Sequence, residues 1–216
     1  MTIIITRIEP QKKNKNRFSL FSGDSFLSGI SGESILKYNL HAGDTIPEQI
    51  LTEIKNNETR ILLREQAYRF LARRAHSVQE LREKLQRKGF DLKSIAFILE
   101  ELKQKNYLND QDFANLLLKD ELKLRKSGPL LLKQKLIIKG IPSAYADELI
   151  KNSYNEDKQY YNCRYLAKRK LGTLTKKEPL KRKQQLASYL KTKGYQWSTI
   201  QPVIDELIQE ENNESE

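Results

Sequence analysis

The spacing of apolar residues changes character near residue 58. Before that point short β-prone runs prevail. Ile3 to Ile8 and Arg17 to Leu20 suit strands, Gly23-Asp24 supplies turn residues, and Ser25 to Ile30 returns as another strand, which together predict a small hairpin or meander. Ser31-Gly32-Glu33 opens a short helix through Tyr38, and Asn39 to Gly43 breaks it. A second helix starts near Pro47 and runs to about Lys55, with Ile50, Leu51 and Ile54 on one stripe. Two or three short strands are marginal alone, so this segment must pack on helices.

From Thr59 onward the period is helical, and it repeats. Three segments share a frame of leucine, leucine four residues on, glycine four further on, then a large apolar residue: Leu81-Leu85-Gly89-Phe90, Leu132-Leu136-Gly140-Ile141 and Leu186-Leu190-Gly194-Tyr195. Lysine precedes each glycine, as Lys88, Lys139 and Lys193. Past the glycine the first copy continues with Ile95, Ile98, Leu99 and Leu102, and the third with Ile200, Val203, Ile204 and Leu207. The second is weaker, with Ala146, Leu149 and Ile150 and then Ser153. Both sets trace one helix face, and each glycine ends a helix in a left-handed conformation that other residues enter at a cost. A further helical stretch precedes each frame, at roughly 59–75, 110–125 and 157–171. Ser77-Val78-Gln79-Glu80 reads as a capping box, Asn109-Asp110 as an N-cap, and Pro129 as a first-turn proline.

The predicted architecture is therefore mainly α: an elongated array of three tandem three-helix repeats (59–108, 109–156 and 157–210) behind a small N-terminal α+β segment (1–58). An acidic, disordered tail is expected at 211–216.

Charge adds a partner to this picture. Lys and Arg number 39 against 28 Asp and Glu, a net +11, which suits a polyanionic partner. The excess is uneven: residues 158–193 hold 12 basic groups and one acid, Glu178, while 195–216 hold 6 acids and no base. Runs such as Lys168-Arg169-Lys170, Lys176-Lys177 and Lys181-Arg182-Lys183 need solvent or an anion. The interleaved Tyr160, Tyr161, Tyr165 and Tyr189 could stack on unpaired bases, although tyrosines at helical spacing more often belong to a core.

Catalytic chemistry finds little support. Cys163 is the sole cysteine, which excludes an internal disulfide and fits a cytoplasmic protein. Arg164 beside it would lower its pKa, but no histidine base is near, and an idle buried thiol is the better account. His41 and His76 lie in separate segments, so no metal or other cofactor is expected. The pairs Glu100-Glu101 and Asp120-Glu121 read as solvated helix surface. No phosphate loop, dinucleotide fingerprint or GxSxG elbow occurs. Neither a signal peptide nor a membrane-spanning run is expected.

The stretches AYRFLARRAHSVQELREKLQRKGF (67–90), YLNDQDFA (107–114), SGPLLLKQKLIIKGI (127–141) and KTKGYQWSTIQPVIDEL (191–207) resemble the RecX family of bacterial regulators of the recombinase RecA. Residues 1–58 look like the extension of its Gram-positive members. The resemblance implies a non-enzymatic protein whose repeats bind the RecA filament on DNA and limit its ATP hydrolysis, growth or strand exchange. Direct contact with single- and double-stranded DNA would be weaker, and a monomer would suffice. The contact candidates are Arg73, Arg74, Lys84, Arg87, Lys88, Lys133, Lys135, Lys139, Lys168, Arg169, Lys170, Lys181, Arg182, Lys183 and Lys193. The alternative is a basic helical DNA-binding protein with no recombinase partner.

Overall fold

In the computed structural model, which describes residues 2–12, 14–174 and 178–213, the N-terminal segment forms two small antiparallel sheets. Strands β2 (Arg7–Gln11), β3 (Asn14–Ser22) and β4 (Ser25–Ser31) make a meander, with Gly23 at φ +55° in the β3–β4 turn. The run from Ile3 to Ile8 is not one strand. β1 (Thr2–Ile4) pairs with β5 (Thr45–Pro47), and the chain changes partner at fully buried Ile5, whose N–H donates to the Asp44 carbonyl at 2.8 Å, whereas Thr6 donates to Phe21. Helix α1 (Gly32–Tyr38) starts where Ser31 Oγ accepts from Ser34 N and ends at Asn39, φ 48°.

The expected boundary at residue 58 lies inside a helix. α2 (Glu48–Leu71) runs unbroken, because no glycine or proline interrupts it and because Glu58 ties its middle to the strands. The buried Glu58 carboxylate accepts from Ser31 N at 2.8 Å, Ser31 Oγ at 2.7 Å and Arg17 at 3.0 Å. Burial alone would raise its pKa, but the bonds from Ser31 and Ser34 and the charge of Arg17 prevail and hold it below the usual carboxylate value.

The helical remainder follows the repeat frame. Helices α3 (Val78–Gln86) and α4 (Leu92–Gln104) carry its first copy. The second follows α5 (Asp110–Asp120), with α6 (Pro129–Ile138) and α7 (Ser143–Ser153), and the third is α8 (Glu156–Leu171), α9 (Pro179–Thr192) and α10 (Trp197–Asn213). All six frame leucines are buried, at 1% exposure or less. The anticipated helix to Arg125 instead changes at Glu121 into a π-helical turn (Glu121–Arg125) that ends at Lys126, φ 54°. Ser77 Oγ accepts from Glu80 N at 3.1 Å and Asn109 Oδ1 from Gln111 N at 2.9 Å, as the capping pattern predicts.

Two compact units result: Met1–Arg74 with Leu81–Tyr107, and Ala75–Glu80 with Leu108–Glu216. Within the second, the start of α6 meets the end of α9. Gly128 N donates to the Lys193 carbonyl at 2.7 Å and Leu130 N to the Gly194 carbonyl at 3.0 Å, so backbone oxygens cap a helix that has no side-chain cap. Tyr195 Oη donates to the Lys126 carbonyl at 2.6 Å and lies 3.1 Å from Tyr154 Oη, closing the same seam.

Helix α10 extends through Asn213, beyond the 210 boundary expected for the third repeat. Glu206 and Glu210 both pair with Arg164, and Glu211 grips Arg182, so the acidic end has partners that keep it helical. Residues 214–216 of the expected tail, and Lys176-Lys177, lie outside the described residues.

Candidate nucleic-acid and protein interface

The contact candidates divide by what their charged ends already touch. On the first unit, Arg73 and Arg74 follow α2 and are exposed. Lys84 sets its ammonium 5.3 Å from the Phe70 ring centroid. Arg87 is 73% exposed, with its Nε donating to the Glu83 carbonyl at 3.3 Å and its guanidinium 3.8 Å from the Glu83 carboxylate, and Lys88 is exposed.

On α6 the candidates are largely consumed by the fold. Lys133 pairs with Asp147 at 2.6 Å. Lys135 binds Glu121, a buried carboxylate that also accepts from Ser127 Oγ at 2.6 Å. Burial pushes the Glu121 carboxyl up, but the bonds from Lys135 and Ser127 outweigh it, so it stays ionised below the usual range. Lys139 reaches the buried Glu80 at 2.8 Å. Losing either lysine would take that counter-ion from a buried carboxylate, so both lysines have a structural role.

The third repeat folds its two opposite charge runs against each other. Arg182 Nη2 of α9 donates to both oxygens of Glu211, at 2.6 and 2.7 Å, Lys183 lies 3.7 Å from Asp205, and Arg164 of α8 binds Glu206 and Glu210. Lys181 pairs with Glu178 at 3.1 Å. Lys170 and Lys193 sit over Tyr189, at 5.7 and 5.2 Å. The surplus that is segregated along the chain is thus partly neutralised in space. Lys168 and Arg169, on the outer face of α8, remain exposed.

That face also holds two of the four tyrosines whose place the sequence leaves open. Tyr160 and Tyr189 do pack on the core, but Tyr161 and Tyr165 are 67% and 43% exposed. A helical wheel separates them: Cys163, Leu166, Ala167 and Leu171 face inward, which leaves 161, 165, 168 and 169 outward. Tyr161, Arg164, Tyr165, Lys168 and Arg169 line a cavity of 220 Å³, and Tyr161 also borders a 560 Å³ groove with Lys119, Leu122, Lys123, Tyr154, Asp157 and Lys158. Lys126 and Arg169 both flank the Tyr165 ring, at 5.4 and 5.8 Å.

No group of three or more metal-ligating side chains occurs among the described residues. Burial pushes the Cys163 thiol up to about 12, so the neighbouring arginine does not activate it. His76 is buried and His41 pairs with Asp44 at 3.7 Å. Among the described residues no helix is long and apolar enough to cross a membrane.

The RecX N-terminal domain matches residues 3–47, the first RecX three-helix domain 64–102 and the third 156–204. The regulatory protein RecX of Clostridium botulinum (strain Eklund 17B / Type B) is 32% identical, over 94% of this chain and 96% of that one. The chain belongs to the RecX family. A second RecX, from Clostridioides difficile (strain 630), is 31% identical over 95% of this chain and 96% of its own length. The fold agrees: a RecX crystal structure superimposes with TM-score 0.69 at 19% identity over 94% of this chain and 98% of that one. RecX from Lactobacillus salivarius gives 0.61 at 20% identity over 71% and 99%. Membership makes this a regulatory protein, and the three-helix organisation is that of the RecX domains.

Proposed function

We propose that this protein regulates homologous recombination and DNA repair by binding the RecA–DNA filament and chiefly inhibiting its ATP hydrolysis, growth and strand exchange. The observation that carries the reading is the match to RecX regulatory proteins along nearly the whole chain. Exposed cations at Arg73, Arg87 and Lys88 in the first unit and at Lys168 and Arg169 in the second support it. A filament presents the same surface many times, so weak contacts from several repeats add through effective concentration, and complementary charge speeds encounter.

The test is RecA ATP hydrolysis on single-stranded DNA with this protein titrated well below the recombinase concentration. Inhibition at that ratio is expected, because too few molecules would be present to coat the DNA or to sequester the recombinase. Unchanged hydrolysis, together with tight binding to bare DNA that weakens steeply with salt, would replace this reading with that of a plain DNA-binding protein. The exposed tyrosines and cations of α8 are the observation that favours this second reading.

A further inference from the structure

We propose that the outer face of α8 and the adjoining groove form a binding site for single-stranded nucleic acid, with Tyr161 and Tyr165 stacking on unpaired bases and lysines and Arg169 meeting the phosphates. The site lies wholly within the second unit and requires no recombinase.

Three observations converge on it. First, two tyrosines one helical turn apart, about 6 Å along the axis, are exposed on a helix whose inward face is already filled by Cys163, Leu166, Ala167 and Leu171. Tyrosine left in water at two successive turns gains nothing for the core, whereas its ring supplies a platform that every base can use.

Second, the rings border cavities with a cationic rim. Lys119, Lys123 and Lys158 line the 560 Å³ groove, and Arg164, Lys168 and Arg169 the 220 Å³ cavity. Arg164 is held by Glu206 and Glu210, and Asp157 is the carboxylate on the groove lining. The balance is strongly positive, which suits a phosphate backbone running along α8.

Third, the backbone places one more cation there. The π-helical turn Glu121–Arg125 ends at Lys126, whose φ of 54° is unusual for a residue with a side chain. Its carbonyl accepts from the buried Tyr195 hydroxyl, which fixes the residue in that conformation, and its ammonium then lies 5.4 Å from the Tyr165 ring. π-turns and left-handed non-glycine residues gather at functional positions, where the surrounding structure maintains the strain.

This chemistry selects single strands. A duplex hides the faces of its bases within the stack, so it could use the cations but not the rings.

The experiment measures fluorescence anisotropy of labelled oligothymidylate, of an abasic oligomer of the same length and charge, and of a duplex of that length, against the full chain without recombinase. Wild type should bind the thymidylate strand more tightly than either control. The double variant Tyr161→Ala/Tyr165→Ala should weaken thymidylate binding by about 25-fold, at about 5-fold per ring, and leave abasic binding unchanged. Tyr161→Phe/Tyr165→Phe keeps the rings and should retain the affinity, which separates loss of stacking from loss of fold. Wild-type thymidylate binding by the alanine variant, an equal loss for the abasic strand, or tighter binding of the duplex would each overturn the proposal. Because recombinase is absent, those outcomes leave the filament reading untouched, and an unchanged RecA ATPase leaves this one untouched.

Discussion

Lys88, Lys139 and Lys193 occupy one position of the repeat, just before the glycine that ends its second helix, and they have three different roles. Lys88 stands in solvent, Lys139 reaches the buried Glu80 at 2.8 Å, and Lys193 lies over the Tyr189 ring at 5.2 Å. The glycines diverge in the same way. All three have φ between +84° and +87°, but a Cβ on Gly89 would meet nothing within 4 Å, whereas one on Gly194 would fall 2.3 Å from Leu131 N. A repeat frame therefore fixes the backbone path and the inward leucines, while its surface positions take whatever role the neighbouring element imposes.

The largest expected effect breaks this comparison at the glycines. Gly194→Ala must accept the left-handed strain and also push α6 away from α9, at the seam where Gly128 N and Leu130 N are capped. A loss of about 3 kcal/mol or more is expected. Gly89→Ala bears only the strain, about 1 kcal/mol. Urea unfolding of both variants measures the difference, and equal losses would mean that the close approach at Gly194 contributes nothing.

The lysines come next. Lys139→Ala leaves Glu80 buried without this partner and should cost about 2 kcal/mol, less than for a fully enclosed pair because Lys139 itself is partly in water. Lys88→Ala should fall within about 0.5 kcal/mol of wild type. A double-mutant cycle of Lys139→Ala with Glu80→Gln, read from urea midpoints, should recover most of the first loss as coupling; independent effects would refute the pairing.

These contrasts show which features sequence could carry. Leucines every four residues, a glycine at the helix end and Ser77, Asn109 and Pro129 at helix starts are local signals, and each corresponds to an observed helix limit. The path of α2 through residue 58 is half legible, since no glycine or proline interrupts it, but the tie of Glu58 to Ser31 and Arg17, far away in the chain, is not. The π-turn at Glu121 was hidden for a similar reason, since Lys135 and Ser127 hold that carboxylate from outside its own helix. At the candidate site, charge runs located the basic elements but not the free charges. Arg182 and Lys183 look equivalent to Lys168 and Arg169 in sequence, and only folding brings Glu211 and Asp205 against the first pair. The exposed Tyr161 and Tyr165 were separable from core tyrosines by helical phase, once Cys163 and Leu166 are set inward.

A smaller effect tests the anchor of the N-terminal segment. The folded Glu58 carboxyl titrates below its ordinary value of 4.5, so its contribution is complete above that value and disappears as pH falls through the lower folded value. Glu58→Gln should cost about 1 kcal/mol at neutral pH. It should also make the melting temperature less sensitive to acid below about pH 5. Melting curves across that range check both, and parallel acid profiles for variant and wild type would show that Glu58 is not a proton-linked anchor.

The smallest expected change in stability accompanies a large one in function. Charge reversal at Lys168 and Arg169 together leaves the described ion pairs of α9 and α10 intact, since neither residue takes part in them, and the melting temperature should stay within the range of an ordinary surface substitution, about 0.5 kcal/mol. Charge reversal at Arg182 is a different experiment: it removes the bidentate partner of Glu211 and places like charges together, so weakened function there would not separate contact from fold. If the outer face of α8 meets the filament or its DNA, Lys168→Glu/Arg169→Glu should raise the concentration needed to inhibit RecA ATP hydrolysis several-fold, and the shift should shrink at high salt as screening removes the lost attraction. Wild-type inhibition by this variant would move the filament contact away from α8, to the cations of the first unit at Arg73, Arg87 and Lys88.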